Sequence, residues 1–248
     1  MMLIEGILLG VLIGLVLGTI GAGGAILAVP GLIAVMGLST VAATTSSLVI
    51  VGSAAVAGFI PRLKTKTVDV RLGLTFSALG ILGTFVGTQL VKVVPESVQI
   101  MLFATLMFGA AFAMWRGPVA ESNSQVKSQW PLVFVVATAI GVLTGLLGVG
   151  GGFLIVPALV LILKVPTKTA AGTSLVAIAS TSVIAFLMRY EYWGDIPIGP
   201  IAAFTLAAIV SSFLAAPLAG KLNARTLQKG FAIFVSIAAV FILAIRGF

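Results

Sequence analysis

Almost every stretch of this chain long enough to make a helix is apolar along its whole length, and ten such stretches follow one another with little between them. A hydrocarbon layer about 30 Å thick is crossed by about 20 helical residues rising 1.5 Å each, so most of these runs have the length of a membrane span. A soluble fold cannot absorb them. Of 248 residues, 60% are hydrophobic and 8% charged, with a mean hydropathy of +1.27, and so few charges cannot cover a water-facing surface. The chain reads as an integral membrane protein. It contains no Cys and no His, which removes disulfides, thiol nucleophiles, the common zinc ligands and the usual neutral-pH proton shuttle. Accordingly no catalytic residue, metal site or cofactor is expected, and the chain is not expected to be an enzyme. The net charge of +8 does not point to nucleic acid, because the basic residues stand singly between apolar runs instead of clustering on one face. The first residues, Met1 to Glu5, lack a basic flank and a small-residue cleavage pattern, so the first run is expected to be a retained span.

Five runs precede a polar stretch and five follow it. The first five are 3–20, a short one at 24–36, then 40–60, 69–94 and 97–115; the second five are 131–147, a short one at 152–163, then 167–190, 196–220 and 226–245. The chain therefore divides into a first membrane repeat (1–115), a linker rich in Gly, Pro, Ser, Asn and Gln (116–130), and a second membrane repeat (131–248). The halves match in sequence. A slide of about 127 residues lays Gly14, Gly18, Gly21, Gly24, Leu27 and Pro30 on Gly141, Gly145, Gly148, Gly151, Leu154 and Pro157. Downstream it lays Thr40, Ser47, Ser53, Phe59 and Arg62 on Thr167, Ser174, Ser180, Phe186 and Arg189, and a one-residue shift then brings Asp69 to Asp195. Apolar composition alone would not align Gly, Pro, Ser, Arg and Asp, so the chain is a duplication.

Whether the copies are parallel or inverted depends on how many times each crosses. With five crossings per half, one side collects Arg62, Lys64, Lys66, Arg71, Arg116, Lys127, Lys164, Lys168, Lys221, Arg225 and Lys229, against Lys92, Arg189 and Arg246 on the other. That asymmetry orients the chain, whereas four crossings per half mix the charges and orient nothing. The expected fold is therefore an all-α, polytopic membrane helix bundle of two inverted five-segment repeats, whose short helices after the glycine turns either cross or re-enter. The basic side is expected in the cytoplasm of a cell inner (plasma) membrane, with both termini outside. The turn Glu191 to Asp195 then faces out, with its aromatic rings at the interface.

Two glycine clusters, at 21–24 and 148–152, each lie where one helix ends and a short one begins. Such a turn exposes backbone N–H groups at a helix N-terminus, which suits an anion. Inverted copies would aim the two turns at each other from opposite faces. The candidate substrate-binding set is Gly21, Gly23, Gly24, Thr45, Ser46, Ser47, Gly150, Gly151, Gly152, Thr173 and Ser174, with backbone amides and hydroxyls as donors. The plainer alternative is that the glycines serve helix packing and the hydroxyls bond back to their own helices. For Gly10, Gly14, Gly18, Gly141 and Gly145, spaced along helices, packing is the expectation. Pro30 and Pro157 can kink the short segments. No ionisable residue falls in the middle of a segment; Arg62 and Arg189, at segment ends on opposite faces, are candidates for gating or for steering anions at each mouth.

These residues resemble a known pattern. Two copies of a glycine cluster, then Pro-x-Leu, then Ala-x-x-Thr-Ser-Leu, in a basic chain of this size, resemble the TauE/SafE family of sulfite exporters. The second copy carries the pattern as Gly148-Val149-Gly150-Gly151-Gly152, Pro157-Ala158-Leu159 and Ala170 to Leu175; the first has Ala25 for the last glycine and Thr45-Ser46-Ser47 before Leu48. The resemblance implies a bacterial inner-membrane protein that exports sulfite or organosulfonates from the cytoplasm, with a small anion and the lipid bilayer as its partners. It leaves the oligomeric state open. A passive anion channel is the alternative. An intramembrane enzyme ranks lower, because a Ser nucleophile would have no base beside it.

Overall fold

The computed structural model describes residues 2–22, 24–90, 93–117, 130–147 and 152–245. The expected ligands Gly23, Gly150 and Gly151, and most of the 116–130 linker, lie outside them. Ten α-helices follow in order: α1 (Met2–Ile20), α2 (Gly24–Met36), α3 (Thr40–Lys64), α4 (Val70–Leu90), α5 (Glu96–Arg116), α6 (Trp130–Leu147), α7 (Gly152–Pro157), α8 (Thr167–Met188), α9 (Ile198–Lys221) and α10 (Ala224–Ile245). The chain is an all-α membrane helix bundle. Helices α3, α4, α8 and α9 are each long and apolar enough to cross a bilayer, and shorter apolar helices stand beside them. Leu82, Met101, Val135, Leu206 and Leu214 all face outward, as the surface of a body solvated by lipid requires.

Inside the bundle, small residues let backbones touch. Gly10, Gly14 and Gly18 of α1 lie against Phe204, Ala208 and Ser212 of α9, while Gly83 and Gly87 of α4 lie against Thr138 and Val142 of α6, and Gly145 of α6 against Thr84. Added side chains at Gly14, Gly18, Gly83, Gly87, Gly141 or Gly145 would meet backbone atoms, so close packing, driven by dispersion, is their role. In both pairs the residue numbers rise together, so α1 runs parallel to α9 and α4 to α6. Helices α3 and α8 do the opposite: Gly52 faces Ser182 and Gly58 faces Leu175, which makes them antiparallel. Gly24 packs on Ile13 and Leu17, and Gly31 on Leu9, so α2 folds back along α1 as a hairpin instead of extending it.

Exchanging the halves converts the α1–α9 contact into α6–α4 and the α3–α9 contact into α8–α4, and returns the α3–α8 and α5–α10 contacts to themselves. Even chain reversals correspond: Gly37, after α2, has φ 62°, and Lys164, 127 residues on (164 − 37), has φ 52°. The copies differ at the short helices. Pro30 sits within a continuous α2, whereas α7 stops at Pro157 and widens into a π turn over Ala158–Ile162, in which the Leu163 N–H donates to the Ala158 carbonyl at 3.0 Å. The basic helix ends gather at one end of the bundle. Lys168 donates to the Gly220 carbonyl at 2.7 Å, Lys229 lies 5.2 Å from the Trp115 ring centre, and Arg71 lies 5.5 Å from that of Trp130.

Candidate functional site

A cavity of about 340 Å³ opens among α2, α3, α4, α6, α7 and α8. Its wall runs along α4 from Phe76 to Thr88 and along α8 from Ile178 to Arg189, from the middle of the bundle toward the end opposite the basic cluster. Hydroxyls stud this wall: Thr44 and Ser47 on α3, Ser77, Thr84 and Thr88 on α4, Thr144 on α6, Thr181 and Ser182 on α8. Arg189, just past the last residue of α8, is the one charged side chain among the described lining residues. No carboxylate joins it there. A cavity with one fixed positive charge, several hydroxyls and an apolar floor at Phe76 and Ile178 favours a small anion over a cation.

The hydroxyls are not equivalent as donors. Ser47 donates to the Thr44 carbonyl at 2.7 Å, Thr84 to Gly80 at 2.9 Å, Thr144 to Ile140 at 2.7 Å and Thr181 to Ala177 at 2.9 Å, each within its own helix. Ser77 is different. It is 3% exposed and its Oγ has no hydrogen-bond partner among the described residues, a costly state unless a ligand or water satisfies it. It sits at the deep end of the cavity, one residue from Phe76, where a free O–H can donate to an oxyanion.

Of the residues expected from sequence, Ser47, Gly152 and Arg189 line this cavity. Arg189 is the charged member of that lining and is half-buried. Thr45 and Ser46 are fully buried elsewhere in α3; Thr45 bonds back to the Val41 carbonyl at 2.9 Å, and the Ser46 Oγ has no partner. The others gather at the basic end. Gly21, at φ 83°, lies against the backbone of Ala171, an approach that only a residue without a side chain permits. Ser174 donates to the Gly21 carbonyl at 2.7 Å, and the Thr173 hydroxyl accepts from the Asp69 N–H at 2.9 Å. Arg62 is only 4% exposed, and its Nη2 donates to the carbonyls of Gly18 and Thr19 at 2.6 and 2.8 Å, at the C-terminus of α1. Gly24 packs on α1. The first glycine turn is thus held one turn inside the start of α8, some way from the middle of the bundle.

Ser77, Thr84, Thr88, Thr144, Thr181 and Ser182 were not in the sequence-based set. Their signal is a stripe on one face of α4, with Ser77, Gly80, Ile81, Thr84 and Thr88 at helical spacing, opposed by Ala137, Gly141 and Thr144 on α6.

The profile of the family described as "Sulfite exporter TauE/SafE" matches residues 6–242. A "Probable membrane transporter protein" of Xylella fastidiosa (strain Temecula1) is 33% identical over 242 residues, covering 94% of this chain and 92% of that one. The "Probable membrane transporter protein YunE" of Bacillus subtilis is 24% identical and covers 95% and 94%. A "Probable membrane transporter protein" of Haemophilus influenzae is 25% identical and covers 94% and 95%. No solved structure matches the chain.

Proposed function

The chain belongs to the TauE/SafE family of sulfite exporters, and we propose that it is a carrier that exports small sulfur-containing anions, sulfite or organosulfonates, across the cell inner membrane. The observation that carries this reading is the cavity in which, among the described residues, Arg189 is the sole charge and Ser77 offers an unused donor. Arg189 draws the anion to the mouth, and Ser77, with Ser182 beside the floor, receives its oxygens. The apolar remainder of the wall keeps the site weak enough to release its cargo. Sidedness follows from the basic end: placed in the cytoplasm by the distribution of Lys and Arg, it puts the cavity mouth outside, where an exported ion leaves. The antiparallel crossing of α3 and α8 supports the inverted relation of the repeats.

A channel is the second reading. The buried Arg62 and the hydrogen bonds at Gly21 and Asp69 favour a carrier, because they close the basic end while the other end stands open. Purified protein in proteoliposomes tests both. Saturable sulfite flux, competed by thiosulfate or an organosulfonate and untouched by acetate, is the expected result. Acetate flux with none for any sulfur anion would overturn the cargo assignment, and flux that rises linearly without saturation would make the protein a channel.

A further inference from the structure

Three contacts fasten the basic end, and the repeat mates of all three are undone at the other end. Arg62 holds the carbonyls of Gly18 and Thr19; its mate Arg189 lines the open cavity and makes no side-chain hydrogen bond or ion pair among the described residues. Ser174 donates to the Gly21 carbonyl at 2.7 Å besides bonding within its own helix to Ala171 at 2.9 Å; its mate Ser47 keeps, among the described residues, only the equivalent own-helix bond, to Thr44, and also lines the cavity. Thr173 accepts from the N–H of Asp69; its mate Ser46 is 0% exposed with an Oγ that has no partner among the described residues, and the mate of Asp69, Asp195, is exposed. The α1–α9, α4–α6, α3–α9, α4–α8, α3–α8 and α5–α10 contacts follow the sequence symmetry, whereas α1 packs on α3 without an equally close meeting of α6 and α8 among the described residues, so the two sets of bonds mark a difference of state between sequence-equivalent ends.

We propose that Arg62 and Arg189 are exchanging positioning residues: transport closes the latch at Arg189 onto the carbonyls of Gly145 and Leu146 as it opens the latch at Arg62. Those two carbonyls are the mates of Gly18 and Thr19 (18 + 127 and 19 + 127), and Gly145 already shares the cavity wall with Arg189. The hydroxyl of Ser46 then accepts from the N–H of Asp195, the counterpart of the Asp69 bond that Thr173 gives up. Neither arginine needs to touch the cargo. Each stabilises one orientation of the same bundle, and removal of either shifts the balance toward the other orientation. The inference rests on the carrier reading, but not on the identity of the cargo.

Cysteine accessibility tests it, because no native thiol competes. A Thr181→Cys reporter, on the cavity wall, is labelled by an impermeant maleimide applied in oriented membranes to the Arg189 face, without substrate; a separate Gly194→Cys protein marks which face that is. Adding Arg62→Gln should slow labelling of the reporter about tenfold or more, the size of effect expected when the two charge-assisted hydrogen bonds of this side chain are lost from a two-state balance. Arg62→Lys should restore part of the rate, and Arg189→Gln should leave it unchanged or faster. Thr173→Val and Ser46→Ala give the same opposed pair without touching a charge, should the Arg62 variant fail to insert. Shifts of equal sign for the two members of a pair, or no shift in either, would overturn the exchange. Because no sulfur anion is present, failure of the cargo assignment in the flux assay leaves this result standing, and the reverse holds too.

Discussion

Gly141 and Gly109 are both helical glycines, yet only one of them is needed. A side chain at Gly141 would strike the backbone of Gly80 across the α4–α6 seam, while nothing lies within 4 Å of the position it would take at Gly109. Gly141→Ala should therefore lower stability by about 1 to 3 kcal/mol through overpacking, and Gly109→Ala should be neutral or raise it by about 0.5 to 1 kcal/mol through helix propensity; thermal unfolding in detergent reads both. Ser77 separates binding from stability. Since its hydroxyl has no partner among the described residues, Ser77→Ala should leave the melting temperature unchanged or raise it, and weaken anion binding by about 1 to 3 kcal/mol, the scale of a hydrogen bond to a charged group, measured by titration calorimetry with sulfite. An unchanged affinity would remove Ser77 from the site. At this scale the sequence was a partial guide. Arg62 looked like a mouth residue because the third run was read as ending at 60, but α3 continues through Pro61 to Lys64 and carries Arg62 into the interior. Arg189 follows the end of α8 and stays at the rim. The hydroxyls of α4 and α6 were missed because most bond back to their own helices, as in any apolar helix, and only the bundle shows that they share a cavity.

At the scale of elements, the two copies begin their fourth helices differently. Asp69 Oδ1 accepts from the Leu72 N–H at 2.9 Å and caps α4, whereas α9 starts at Ile198 after Pro197 with no side-chain cap, and Asp195 lies exposed in the 3-10 turn before it. Asp69→Ala should cost about 1 kcal/mol, Asp69→Asn little, and Asp195→Ala close to nothing. Equal losses at 69 and 195 in thermal unfolding would mean the capping bond contributes nothing. Helix positions were legible because long apolar runs broken by Gly, Pro and charge admit few alternatives; α2, for example, occupies the expected 24–36. What composition could not show is direction. That α2 doubles back on α1, and that Pro157 opens a π turn where Pro30 leaves its helix intact, depend on neighbours that a one-dimensional pattern does not contain.

For the whole molecule, the five-crossing reading makes one end basic and places Thr65 there, with Gly194 at the other. Impermeant maleimide applied outside intact cells should label Gly194→Cys and spare Thr65→Cys until the cells are opened. Labelling of Thr65→Cys from outside would reverse the assigned sidedness. Gly, Pro, Arg and Asp matches at a fixed spacing are what make a duplication readable in the sequence; which end carries the bonds of Arg62, Thr173 and Ser174 is not readable there, because two similar stretches give no hint which set of bonds is made.

The glycine seams join the halves in a crossed manner: α1 rests on α9, and α4 on α6. During synthesis, Gly10 waits for Phe204, 194 residues later (204 − 10), which at about 5 to 20 residues per second is about 10 to 40 s in the bilayer. Over that interval Gly10 and Gly14 have none of their α9 partners, and the first half has no finished interior of its own. Each half is therefore a template for the other. Co-expressed fragments 1–117 and 130–248 should assemble into a protease-resistant complex, and either fragment made alone should be degraded.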